Sequence, residues 1–233
     1  PAPRMAELVG CIRAFLRAEN DQKITYDGDY YTIDTHIRAP VMGPIEVPIL
    51  LGAFNLHMLR TAGRVADGVL GHGLFTDRWW TEMVDPQLRA GAEQAGRDAA
   101  GLLRWGWVIT AIDDEDPGRA VADARRQIAF YLTVKTYDSL VALHGWQDEV
   151  AAIRAAFRSR PDTIAEHVTD EMLWSIAVCG DSAQAAEMVR SRARLPETAF
   201  LAAPSFLVGR RRRAEYDSAA VSFAQNLAVQ NVR

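Results

Sequence analysis

The stretch from Val47 to His72, VPILLGAFNLHMLRTAGRVADGVLGH, constrains the fold more than any other part of the chain. Val47-Pro48-Ile49-Leu50-Leu51 is a short continuous apolar run, as expected of a strand buried on both faces. Gly52-Ala53-Phe54-Asn55 interrupts it with small and turn-forming residues. Apolar residues then fall at 56, 58, 59, 62, 65 and 66, which is helical spacing. Asp67-Gly68 closes the helix, and Val69-Leu70 begins a second apolar run. This is one strand–helix–strand unit in about 25 residues, near the lower limit for a parallel crossover. Folds built from such units bind ligands beyond the carboxyl ends of their strands. Those ends are Gly52-Ala53-Phe54-Asn55 and Gly71-His72-Gly73.

The flanking sequence extends the pattern. Residues 3–18 carry Met5, Leu8, Val9, Ile12, Phe15 and Leu16 on one face of a predicted amphipathic helix. Ile24-Thr25-Tyr26 and Tyr30 to Ile33 flank Asp27-Gly28-Asp29, which reads as a hairpin with an Asp-Gly turn. Pro40, Gly43, Pro44 and Pro48 predict a loop leading into the first strand. A helix over 77–95 stops at Gly96-Arg97-Asp98, and a Trp- and β-branched-rich strand runs over 103–112. The acidic turn 113–117 should cap a helix reaching about residue 134, because carboxylates favour a helix N-terminus. Helical pieces over 137–143, 148–158 and 162–167 form an insertion with no strand signal, and 170–178 reads as a further helix ending at Gly180. A helix over 182–193, a last strand over 198–203, a basic run over 210–213 and a final helix over 214–229 complete the chain.

With 233 residues and 49% hydrophobic residues, a sizeable core can form. The formal charge of −4 gives no reason to expect nucleic acid or an anionic membrane as partner. Cys11 and Cys179 lie far apart and outside any metal-ligand spacing, so neither a disulfide framework nor a zinc site is expected, and a cytoplasmic setting fits. No apolar run approaches a membrane span of about 18 residues, and no signal peptide is visible. No Ser-His-Asp or Cys-His order, Walker loop or GxGxxG loop is present, so no residue is assigned a catalytic role.

Four parallel strands near 47–53, 68–72, 103–112 and 198–203, wrapped by helices, make half of an eight-stranded α/β barrel or a small open sheet. Leu59-Arg60-x-Ala62-Gly63-x-x-Ala66-Asp67-Gly68-Val69-Leu70, after Val47-Pro48-Ile49 and a small-residue turn, resembles the luciferase-like flavin and deazaflavin oxidoreductases. Tyr26-Asp27-Gly28-Asp29-Tyr30-Tyr31 resembles the family's hairpin, and Gly91-Ala92-x-x-Ala95-Gly96-Arg97-Asp98 its helix end. Ile128-Ala129-Phe130-Tyr131, Tyr137, His144-Gly145-Trp146, Asp170-Glu171-x-Leu173 and Ala177-Val178-x-Gly180 resemble a deazaflavin (coenzyme F420) dependent branch.

The resemblance implies a (β/α)8-barrel-type (TIM-like) α/β fold. Here it is an incomplete barrel with about the last four strands, a β-hairpin and a helical insertion, in one domain over 1–233 that lacks the barrel's N-terminal part. It implies an oxidoreductase moving hydride between reduced F420 and a small organic substrate. The alternatives are an FMN-dependent monooxygenase, or a silent fragment or accessory subunit. Self-association or pairing with a complete subunit is expected, since unpaired strand edges are a liability.

Gly52, Ala53, Phe54 and Asn55 fall where the family turns beside the cofactor phosphate, although Asn55-Leu56 stands where Gly-Pro is usual. Small residues admit an anion to the backbone N–H groups, and a helix N-terminus attracts it. The same residues also suit an ordinary strand–helix turn. His72 stands where the branch often carries His-Pro, with Gly73 replacing the proline, and is a candidate donor to a cofactor or substrate oxygen. A plain hydrogen-bonded strand-end histidine is its competing reading. Trp79, Trp80, Trp105 and Trp107, and Tyr131, Tyr137 and His144-Gly145-Trp146 in the insertion, read first as packing residues.

Overall fold

A computed structural model describes residues 1–19, 21–36, 38 and 44–230. They divide into two compact units, one of Pro1–Leu70 and Met83–Arg104, the other of Gly71–Glu82 and Trp105–Arg233. Pro40 and Gly43 of the expected loop lie outside the described residues.

The first unit begins with α1 (Ala2–Arg17), which buries Val9 and Cys11. β1 (Lys23–Asp27) and β2 (Thr32–His36) form the antiparallel hairpin. Its turn is longer than an Asp-Gly pair and closes through Gly28 N–H to Tyr31 O at 3.0 Å. The Glu7 carboxylate on α1 shapes it by accepting the N–H groups of Asp29, Tyr30 and Tyr31. A side chain from outside the turn therefore supplies what a two-residue turn would have satisfied locally.

β3 (Leu50–Gly52), α2 (Leu56–Val65) and β4 (Gly68–Gly71) realise the predicted unit, with β3 and β4 parallel and Leu50 opposite Gly68. The strand expected from Val47 begins three residues later, at Leu50, and is not buried on both faces. Ile49 gives its N–H to the Asp67 carboxylate and its carbonyl to the Asp67 N–H, both at 2.8 Å. Val47 is half exposed, Leu51 is buried and Gly52 is exposed. Asp67 also takes the Arg13 guanidinium at 2.6 Å and, through its carbonyl, the Leu103 N–H at 2.9 Å. The Ala66-Asp67-Gly68 segment is thus a joint between α1, the approach to β3 and the start of the strand that begins at Leu103.

The helix expected over 77–95 is two segments. Trp79–Val84 is π-helical and runs into α3 (Asp85–Gln94). α2 and α3 touch backbone to backbone: a methyl group on Gly63 would overlap the Leu88 carbonyl, and one on Gly91 the Arg60 carbonyl. Gly96, at φ +63°, ends α3, and Arg97 reaches back to the Gly63 carbonyl at 2.9 Å.

In the second unit β5 (Leu103–Ile112), from Trp105 on, runs parallel to two strands. The Asp113-Asp114-Glu115-Asp116 turn leads into α4 (Pro117–Leu132), with Asp116 as N-cap accepting the Arg119 N–H at 3.0 Å. The insertion follows as α5 (Asp138–His144), α6 (Gln147–Ser159) and α7 (Asp170–Ile176), with short 3-10 segments at Lys135–Tyr137 and Pro161–His167. The expectation of helix through Val178 is corrected by β6 (Val178–Gly180), which pairs with Thr110–Ile112. Gly180, at φ +105°, turns the chain into α8 (Ser182–Ser191), whose start carries a capping box of Asp181 and Gln184. β7 (Thr198–Ala202) pairs with Trp105–Ile109 and is followed by α9 (Arg210–Gln230).

The basic run is the first turn of α9 rather than a purely solvated face. Arg212 pairs at 2.9 Å with Asp123, a buried carboxylate on α4 that also takes Arg126 and the Tyr216 hydroxyl. Trp79 and Trp80 are core residues, as the packing reading requires. No described helix is long and apolar enough to cross a membrane. Both cysteines are buried free thiols, and burial pushes Cys179 up to about 12.

Candidate functional site

The sequence candidates fall in different units and are taken separately. In the first unit Asn55 caps α2, its side-chain oxygen accepting the Met58 N–H at 2.9 Å. Ala53 is buried, and Gly52 is exposed with open space where a Cβ would stand. The turn therefore presents backbone at the carboxyl end of β3 and at the start of a helix, the arrangement that suits an anion.

In the second unit His72 directly follows β4 and lies among aromatic rings. Tyr131 of α4 meets it edge-on at 4.6 Å, Tyr137 lies at 5.0 Å and Trp107 of β5 at 6.5 Å between ring centroids. Its Nδ1 accepts the Leu74 N–H at 3.2 Å, and its Nε2 pairs with the Tyr137 hydroxyl at 3.2 Å. A backbone N–H can only donate, so Nδ1 is the acceptor nitrogen and the ring proton belongs on Nε2, facing Tyr137. Burial lowers His72 to about 4, so the imidazole is neutral at pH 7. The turn that places it is tight: Phe75 N–H returns to the His72 carbonyl at 2.9 Å, and a Cβ on Gly73 would press on Ile109.

The sign of the pH effect follows. A histidine held below its ordinary pKa binds fewer protons folded than unfolded, so stability falls with pH. The loss from His72 begins as pH drops below about 6.5 and levels off below about 4. Ring NMR signals of His72 should keep their neutral positions from pH 8 to pH 5. A titration midpoint near 6.5 would contradict this placement.

Trp107 departs from the packing reading. It projects from β5 between buried Gly106 and Val108 and is 45% exposed, with Phe200 opposite it on β7 at 43%. Tyr131 and Tyr137, read from sequence as packing residues, are close aromatic neighbours of His72. No local signal marks them, since the His72–Tyr137 pair spans 65 positions. His144 takes no part here. It stacks on Trp146 at 4.0 Å and bonds to Thr76 Oγ1 at 2.8 Å.

The family model described as luciferase-like monooxygenase matches residues 1–197. The chain belongs to this family. The luciferase-like chain is 33% identical over 199 residues to an uncharacterized protein of Mycobacterium tuberculosis, covering 82% of this chain and 58% of that one. It is 26% identical over 184 residues to the 5,10-methylenetetrahydromethanopterin reductase of Methanopyrus kandleri, covering 78% and 51%. It is 27% identical over 173 residues to the F420-dependent glucose-6-phosphate dehydrogenase of Segniliparus rotundus, covering 71% and 51%. The chain thus spans about half the length of the curated relatives it matches. The structure of the F420-dependent tetrahydromethanopterin reductase of Methanopyrus kandleri superposes with a TM-score of 0.68 at 21% identity, over 87% of this chain and 57% of that one. The fold is therefore the α/β, TIM-barrel-like fold of that reductase, and the strands among the described residues do not close a barrel within either unit.

Proposed function

We propose that this luciferase-like chain serves an F420-dependent oxidoreductase acting on a small organic substrate. The carrying observation is the neutral, two-sidedly bonded His72 at a strand's carboxyl end, with the exposed Trp107 beside it. Those residues fit a flat, largely apolar deazaflavin ring: an aromatic wall, an uncharged hydrogen-bonding edge and burial that excludes water. F420, when bound, supplies the hydride chemistry. The protein's part is to present His72 as a neutral imidazole in one tautomer. In the first unit, Gly52, Ala53, Phe54 and Asn55 are proposed to meet a phosphate group through backbone N–H groups. The F420-dependent relatives support the cofactor, and the family's monooxygenase description keeps a monooxygenase, with FMN as its proposed cofactor, as the second reading.

Fluorescence titration of the chain with F420 and FMN in parallel tests this. Micromolar binding of F420 alone is the expected result. Binding of FMN alone supports the second reading, and binding of neither to folded protein overturns both and leaves the accessory-subunit reading. Gly52→Val adds its side chain into open space, so the fold should tolerate it. If the turn meets a phosphate, F420 affinity in that variant falls about tenfold, or about 1.4 kcal/mol.

A further inference from the structure

Gln127 of α4 is 3% exposed and joins two parts of the second unit. Its Oε1 accepts the N–H groups of Ser205 at 2.7 Å and Phe206 at 3.0 Å, in the loop over 203–209 that follows β7. Backbone N–H groups only donate, so the oxygen and nitrogen of the amide are assigned and its NH2 faces elsewhere. One helical turn on, on the same face of α4, stands Tyr131, whose hydroxyl is hydrogen-bonded to Gln127. Burial raises the Tyr131 phenol and this bond lowers it, which is the sign of a hydrogen bond given to the phenol oxygen. The Gln127 NH2 therefore donates, Tyr131 accepts, and the phenol's own proton is directed away from Gln127. Among the described residues the Tyr131 hydroxyl has this one hydrogen-bond partner. The half-buried Tyr131 ring meets His72 edge-on at 4.6 Å. The loop that Gln127 anchors is held in a costly form, with Leu207 at φ +57° and Phe206 stacked on Phe130 at 4.1 Å.

We propose that Gln127 is the positioning residue of the His72 site, anchoring the 203–209 loop and turning the Tyr131 hydroxyl proton toward a bound ligand. Tyr131 is assigned the ligand contact, as donor to a carbonyl oxygen on the edge of the deazaflavin ring. This rests on the F420 reading and adds to it a donor whose direction is set before the ligand arrives. A lone tyrosine hydroxyl rotates and both donates and accepts. One whose oxygen is already taken meets the ligand as a donor, so less freedom is lost on binding. A carboxamide suits the task because it accepts at one end, donates at the other and carries no charge.

Gln127→Glu separates the two tasks. Above the pKa of the introduced carboxyl, read from its own carbon NMR signal, the carboxylate still accepts the Ser205 and Phe206 N–H groups. It has no proton to give Tyr131 and draws the phenol proton to itself. In the free variant the Ser205 and Phe206 amide signals should stay in place while the Tyr131 Cζ signal moves. F420 affinity should fall about tenfold, the worth of one hydrogen bond. Tyr131→Phe should lose affinity by the same factor with the loop signals unmoved, and adding Gln127→Glu to it should cost nothing further. A Gln127 that only supports the loop predicts parental F420 affinity in Gln127→Glu. That result, an unmoved Tyr131 Cζ signal, or a further loss in the double variant, which would assign the effect to the new charge, overturns the proposal. A parent chain that binds no F420 removes the cofactor reading, and the Tyr131 Cζ signal of the free protein still decides for or against the Gln127 bond.

Discussion

Gly63→Ala should lower the stability of the chain by about 2–3 kcal/mol, although alanine is the better helix former. Propensity alone would favour the change by about 1 kcal/mol. Against it stands the contact between α2 and α3, where a methyl group on Gly63 meets the Leu88 backbone carbonyl rather than a flexible side chain. A carbonyl inside a helix cannot move without moving its helix, so the pair must separate along the whole contact. Overpacking of that kind costs typically about 1–3 kcal/mol, and more where backbone is the obstacle. The separation also strains the Arg97 bond to the Gly63 carbonyl and loosens the packing of Leu59, Ala62, Leu88 and Ala92. In a chain of this size the melting temperature should drop by about 5–10 °C. Gly52→Ala is the control, because its methyl group meets nothing. A Gly63→Ala protein melting with the parent would show that the two helices do not approach this closely.

Asp123→Ala should be the most damaging single change in the second unit. The carboxylate is 1% exposed and serves Arg126 at 2.6 Å, Arg212 at 2.9 Å and the Tyr216 hydroxyl at 2.8 Å. Removing it leaves two guanidinium groups and a phenol facing a buried void. Breaking a buried charge cluster from one side costs about 3–5 kcal/mol. Its effect should centre on α9, whose contacts with the rest of the unit run through buried Tyr216, Ala220 and Phe223. Asp123→Asn keeps the hydrogen-bond acceptor and should cost less, about 1–3 kcal/mol. Urea denaturation of both variants, with limited proteolysis reading the release of α9, distinguishes the two magnitudes. Equal loss from Ala and Asn would assign the stabilisation to charge alone, and no loss from Ala would remove the cluster from the fold's supports.

The elements that the sequence reveals are those whose causes are local. Asn55, Asp116 and Asp181 cap the helices they precede, and the Leu103–Ile112 run is a strand with the boundaries its composition predicts. What stays hidden depends on distant partners or short lengths. Val178-Cys179-Gly180 is too short to show a period of two and reads as the end of a helix. Six residues of π-helix at Trp79–Val84 cannot be told from α-helix by hydrophobic spacing. Val47 reads as buried, yet the chain there answers to Asp67, 18 positions beyond Ile49. The family-like segments are largely structural: Gly63, Asp67, Gly91 and Arg97 all hold backbone in place. Of the candidate site, the position of His72 directly after a strand is legible in the sequence. Tyr137 is not, because nothing near it points to a histidine 65 residues earlier.

The Leu74 N–H that fixes the His72 ring has a kinetic consequence. Histidine is ordinarily the side chain that gives an enzyme a rate limb near neutrality. Here the backbone occupies Nδ1 and burial holds the ring neutral to about pH 4, so His72 contributes no such limb. A pH–rate profile of this chain with an inflection between 6 and 8 would report the ionisation of some other group, in the cofactor, in the substrate or elsewhere in the protein.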